Sequence, residues 1–310
     1  MSVALFAAAL LMQTGPIVGD GVAPSLGLPM IDRPTTPRRR NNFLLPSERG
    51  PEETNKLAQC RDTATSNPDE GATMATDWLS GAKGTQRADA HLCLGYAYSQ
   101  SQAWGMAEQA FLAGRDEATD NVLTRARLGD MAANAALADG GAVRALAALD
   151  RAATDAKAVG DAVLTSAIAS DRARALVALK RNDDAAAALT EARTATPTDA
   201  GVWLLSATLS RRMGKLAQAQ SQIESAARLN PLDPEIGLEA GVIAMLGGHE
   251  DAARRSWQSV VKASPQSDAG HQATAYLDQI GPQNPANTPS TGGAPAANAT
   301  ALPNSSAGKG

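Results

Sequence analysis

From residue 166 onward the apolar positions fall into columns. Ala185, Ala219 and Ala253 stand 34 residues apart, and Leu189, Ile223 and Trp257 repeat the interval. Ala192, Ala226 and Val260 form a third column, and Pro197, Pro231 and Pro265 a fourth. Four columns in one register define three units, 166–199, 200–233 and 234–267. Within a unit, a small residue and a bulky one four positions later share a helical face. The small residue lets a second helix approach the first, and the bulky one fills the gap to the next pair. Proline closes the unit because it cannot continue a helix. Ala173, Ala207 and Gly241 take the matching small place on the first helices, and Trp203 begins one of them. Each unit therefore predicts a pair of helices.

Weaker units lie upstream. Residues 88–121 carry Leu94-Gly95 with Tyr98, then Ala107 and Phe111, with Gly114 and Thr119 where an alanine and a proline are expected. Residues 126–159 carry Ala133, Ala145, Leu149 and Ala152, with a few extra residues on either side. Residues 54–82 show helix-pair periodicity at Leu57, Cys60 and Ala64, then at Ala72, Ala75 and Leu79. This pattern resembles the tetratricopeptide-repeat family, in which a large residue, Leu-Gly and Tyr mark the first helix and Ala, Phe, Ala and Pro the second and its exit. Asp268 to Ile280 adds one more helix, whose Gln272, Asp278 and Gln279 give the polar back of a cap. The fold class expected is all-α: a tetratricopeptide-repeat solenoid of about six helix pairs plus a capping helix. The resemblance further implies a right-handed superhelix.

Composition agrees. Apolar residues make up 44% of the chain but aromatic ones only 3%, so the core has to come from closely packed, alanine-rich helices. A net charge of −4 with interspersed signs disfavours nucleic acid as a partner. Arg38-Arg39-Arg40 is a basic run in a proline-rich stretch and reads as solvated linker charge. Residues 1–19 are signal-like: Val3 to Met12 is an apolar run of ten residues, too short for ~30 Å of hydrocarbon. No Lys or Arg precedes it and no clean cleavage site follows. Export to a bacterial periplasm or beyond is one reading; a cytoplasmic or weakly membrane-anchored chain is the other. Residues 20–51 are a Pro-rich linker, 52–281 the helical body, and 282–310 a low-complexity tail expected to be disordered.

Candidate chemistry is sparse. Cys60 and Cys93 lie 33 residues apart, nearly one repeat, which places them on neighbouring first helices within reach of a disulfide. Two buried reduced thiols are the alternative. His91, His249 and His271 show no metal-ligand spacing, and no nucleotide or hydrolase motif is present. Asp183-Asp184 fit a helix N-terminus, and Trp78, Trp104, Trp203 and Trp257 fit core packing. No enzyme activity, cofactor, metal or small-molecule substrate is expected. The family resemblance implies that first helices line an inner groove for a partner polypeptide. By register Leu92, Tyr96, Asn134, Arg174, Leu204, Thr208, Leu238 and Val242 face it. The expected function is a protein-binding scaffold; the alternative is a homo-oligomeric assembly subunit whose groove holds a sister chain.

Overall fold

A computed structural model of the chain describes residues 51–281. The signal-like segment, nearly all of the linker and the C-terminal tail lie outside the described residues. Thirteen helices fill this span: α1 (Pro51–Ser66), α2 (Pro68–Gly81), α3 (Thr85–Gln100), α4 (Trp104–Glu117), α5 (Val122–Ala138), α6 (Ala142–Val159), α7 (Ala162–Ala178), α8 (Asn182–Ala195), α9 (Ala200–Arg212), α10 (Leu216–Leu229), α11 (Pro234–Leu246), α12 (Glu250–Ala263) and α13 (Asp268–Ile280). There is no strand among the described residues. Six consecutive pairs and a thirteenth helix make the predicted array. Each helix packs on the next, and α1 also touches α3, α5 touches α7 and α11 touches α13. Helix α1 opens at Pro51, assigned above to the linker; proline suits a first helical turn, where its missing N–H is not needed.

The irregular spacing of the earlier units has a simple cause. Helices α5 and α7 have 17 residues where α9 and α11 have 13, and α6 has 18 where α10 has 14. Each extension is four residues, about one helical turn of 3.6, so the buried stripe continues in phase. Unit 166–199 consequently starts inside a helix: α7 begins a turn earlier, at Ala162. Asp161 caps it, accepting from the Leu164 N–H at 3.0 Å.

Every tight turn from the first to the second helix of a pair is built alike from α3 to α12. One residue in it has positive φ: Gln102 (58°), Gly140 (74°), Lys180 (60°), Gly214 (72°) and Gly248 (78°). The residue that follows donates its N–H five residues back, as Gly141 to the Ala136 carbonyl (2.7 Å) and His249 to that of Ala244 (2.9 Å). This closes the first helix as a Schellman motif. Left-handed backbone costs an L-residue other than glycine, Asn or Asp about 1 kcal/mol, so Gln102 and Lys180 are the strained members. The paired acids of α8 act through its first turn; its N-cap is Arg181, with no side-chain cap, and Asp184 accepts from Arg181 Nε at 2.8 Å.

The core follows a reciprocal rule of size. Gly95 faces the Phe111 ring, and a Cβ added there would lie 2.5 Å from it; Gly241 faces Trp257, with its ring atom Cδ1 at 2.5 Å from such a Cβ. Where the first helix carries alanine instead, the partner is aliphatic: Ala133 clusters with Leu149, Ala173 with Leu189, and Ala207 with Ile223. A second contact column lies one turn earlier on the first helices, and there the small residue stands on either helix. Gly114 yields to His91, Gly129 lies against Ala152, Gly237 against Val260, and Trp203 packs on the Ala226 cluster. Trp257 is fully buried, donates Nε1–H to the Leu238 carbonyl at 3.2 Å, and meets the Tyr276 ring of α13 at 5.1 Å. Trp78 is buried too, whereas Trp104 and Trp203 are half-buried.

Ion pairs join successive units. Asp155 of α6 accepts from Arg115 of α4 at 2.7 Å and from Arg125 of α5 at 3.3 Å. Glu108 of α4 takes Arg144 of α6 at 3.0 Å. Lys157 of α6 reaches Glu191 of α8 at 3.2 Å.

Two stability measurements test these packing rules. Gly241→Val is expected to destabilise by at least about 1–3 kcal/mol in urea unfolding through overpacking. Gly241→Ala combined with Trp257→Leu recreates the Ala173–Leu189 pairing and should show a favourable coupling of about 1 kcal/mol in a double-mutant cycle; strict additivity would refute reciprocal packing. Lys180→Gly should stabilise by about 1 kcal/mol by relieving left-handed strain, and a lower Tm would refute that account.

Candidate functional site: the face of the first helices

Helices α3, α5, α7, α9 and α11 bring the predicted groove residues to one register, but with unequal access. Leu92 is half-buried and packs against the two N-terminal core clusters. The Tyr96 hydroxyl lies 3.1 Å from Thr65 Oγ1, and the Arg61 guanidinium sits 5.4 Å from its ring centre. Leu204 is half-buried against the cluster shared by α9, α10 and α11. Thr208, Leu238 and Val242 keep only 7%, 8% and 3% of their surface, so they present little side chain to a partner. The accessible part of the face is therefore Tyr96, Asn134 and Arg174, with the edges of Leu92 and Leu204.

Its centre is held by a residue the sequence pattern did not single out. Asp171, buried on α7, accepts from Asn134 Nδ2 of α5 at 2.7 Å and from Arg174 Nη1 at 2.6 Å. Asn134 spends its other N–H on the Asp130 carbonyl at 3.0 Å. One carboxylate thus fixes an amide and a guanidinium on neighbouring first helices and leaves Arg174, the exposed member, pointing from a fixed base. The Asp-x-x-Arg spacing of Asp171 and Arg174 is the signal that marks such a pair on a helix. A second, part-buried bridge joins α9 to α11: Arg211 donates to both oxygens of Glu239 at 2.6 and 3.2 Å. Nearby, burial pushes the Tyr276 hydroxyl above its ordinary pKa, with Arg211 opposing and Glu239 adding to the shift.

At the N-terminal end Cys60 of α1 and Cys93 of α3 face each other with Cα atoms 6.2 Å apart and their sulfurs joined; both are fully buried. The side-by-side course of α1 and α3 creates that separation. The histidines remain apart. His91 lies against Gly114 on the packed side of α3, His249 stands at the N-cap of α12, and His271 is exposed on α13. No cluster of three or more metal-ligating side chains occurs among the described residues. A cleft of about 190 Å³ between α6, α7 and α8 is lined by Asp150, Lys157, Arg172 and Glu191. Its charges are already matched, Arg172 with Asp150 at 2.7 Å and Lys157 with Glu191 at 3.2 Å. No described helix is long and apolar enough to cross a membrane.

Helix pairs that keep a 34-residue register over 166–267, gain whole turns upstream and share one turn geometry from α3 to α12 give this chain the fold of a tetratricopeptide-repeat solenoid. Comparison with solved structures gives the same fold. PilW, described as a widely conserved type IV pilus biogenesis factor, superposes with a TM-score of 0.58 at 14% identity, covering 73% of this chain and all of its own. PilF of Pseudomonas aeruginosa superposes with a TM-score of 0.53 at 14% identity, covering 71% of this chain and 99% of its own. At that identity the likeness carries the fold and no more. No family model and no curated protein matches the sequence.

Asp171→Ala should cost about 1–3 kcal/mol, because Asn134 and Arg174 lose their shared acceptor; urea unfolding unchanged within error would remove Asp171 from that role. His91 yields a pH prediction. Burial first, then Arg87, lower its pKa below 6.5, with Glu117 partly opposing. The folded state thus favours the neutral ring, and its contribution is complete above 6.5 and lost as pH falls from there through the lower folded value. His91→Gln should flatten the fall in Tm over this window; an identical fall in the variant would exclude His91 as its source.

Proposed function

We propose that the chain is a protein-binding scaffold that holds a partner polypeptide along the face of its first helices. The observation that carries this reading is the Asn134–Asp171–Arg174 cluster. It holds a charged, exposed side chain rigidly on a face shared by successive repeats, flanked by the apolar edges of Leu92 and Leu204. A preorganised donor loses little conformational entropy on binding. Apolar edges on both sides of a polar centre suit an extended or helical segment with mixed side chains.

We place the scaffold in the envelope of a bacterium. Support comes from the apolar run Val3 to Met12 and from the Cys60–Cys93 pairing, which an oxidising compartment sustains. Closing a loop of 33 residues would stabilise the N-terminal pair of helices by about 3–4 kcal/mol in the entropic account. Mass spectrometry of the purified mature protein tests both points. A shortened N-terminus and no free thiol are expected; an intact Met1 with two alkylatable cysteines would sink the envelope assignment.

Site-specific photocrosslinking tests the groove itself. A photoreactive residue at Leu204, on the apolar edge of that face, is expected to capture a discrete partner, while one at exposed Val143 of α6 captures none. Tyr96→Ala should reduce that capture several-fold without changing helicity. Equal capture at both positions would reject the face, and capture of only a second copy of the chain would favour the homo-oligomeric alternative.

A further inference from the structure

Arg115 and Arg193 occupy equivalent places in their units, four residues after Phe111 and Leu189. Each guanidinium leaves the second helix of a pair and crosses the same place on the following first helix. Arg115 passes over Gly129, where an added Cβ would lie 3.3 Å from its Nε. Arg193 passes over Trp203, with its guanidinium carbon 5.2 Å from the ring centre. Beyond that point the two differ. Arg115 ends on the carboxylate of Asp155 at 2.7 Å. Asp155 is the fourteenth residue of α6, and the fourteenth residue of α10, its counterpart for Arg193, is Leu229, with 41% of its surface exposed.

Arg193 thus retains the position of an ion-paired arginine without the acid. It donates to two hydroxyls instead, from Nη1 to buried Ser206 and from Nη2 to Thr190 at 2.9 Å. No carboxylate among the described residues forms an ion pair with it. Burial alone depresses its pKa, and no acid raises it in return. A guanidinium carries five N–H donors in a planar fork suited to two acceptor oxygens, and hydroxyls engage only two of these. The guanidinium lies over the Trp203 ring, whose Nε1–H is itself fixed on the Pro197 carbonyl at 2.8 Å.

We propose that Arg193, on the platform of Trp203 and Ser206, is a docking point for a carboxylate side chain of a bound acidic polypeptide. The incoming group takes the part that Asp155 plays for Arg115. This site is separate from the groove and depends on the scaffold reading only for the polypeptide nature of the donor.

The test uses the full chain, observed through the Arg193 Nε–H and the Trp203 indole signals in NMR. The probes are an acetylated, amidated tri-glutamate peptide, the matching tri-glutamine peptide, and inorganic phosphate. Saturable shifts with tri-glutamate alone are expected, weakened at least tenfold in Arg193→Gln. Absence of a response, or an equal response in the folded variant, overturns the site. A response to phosphate without one to tri-glutamate overturns the carboxylate assignment. Leu229→Asp supplies the missing acid from within and should raise Tm while weakening tri-glutamate at least tenfold; full peptide binding by this folded variant also overturns the proposal. None of these measurements touches Tyr96 or Arg174, so their failure and a failure of groove binding are separable.

Discussion

The closest approach within each helix pair sets the terms for everything else in the stack. A first helix and its partner meet over two contact points, and at each one side chain has to be small in proportion to the bulk of the other. Gly241 under Trp257 and Gly95 under Phe111 are the extreme cases, and the alanine–aliphatic pairs are the middle of the range. Close packing leaves little slack in such a joint. Where an aromatic side chain enters the joint, as at Phe111 and Trp257, a glycine opposite makes room for it and the helices need not separate.

Packing within pairs leaves the joints between pairs to other forces. Part of the attachment is apolar, as where Leu128 and Ile168 close the clusters of the preceding units. Another part is electrostatic and spread unevenly. Asp155 gathers two arginines, Asp171 an amide and a guanidinium, and Glu239 one bidentate arginine. Breaking a buried pair leaves an uncompensated charge, so such joints specify alignment even where their net contribution to stability is small. The alignment matters for binding, because a face shared by several helices exists only if their relative register holds.

Much of this architecture was legible in the amino-acid order. Identical spacing of Ala185, Ala219 and Ala253 marks second helices because the same steric demand recurs in each pair. Unit 166–199 was harder, since the extra turn of α7 consists of residues that any helix accepts and only Asp161 signals its start. The left-handed turn position was partly hidden because Gln102 and Lys180 stand where the other units carry glycine. The eight residues expected to face a groove all fall on first helices, yet exposure depends on how nearly adjacent helices close, which spacing along one chain does not encode. Asp171 escaped notice for a related reason: its partners Asn134 and Arg174 become neighbours only after the units stack.

The whole-turn extensions of α5, α6 and α7 have a consequence for how this chain tolerates change in length. Each added residue turns a helix by about 100°, so inserting one or two would swing every later contact column out of its interface. Four residues return the column to within about 40° of its starting direction. Length in this solenoid is therefore quantised. Variation by full turns is silent to the rest of the stack, whereas a shorter insertion acts as a frameshift in three dimensions, scrambling the contacts of a helix whose own sequence is untouched.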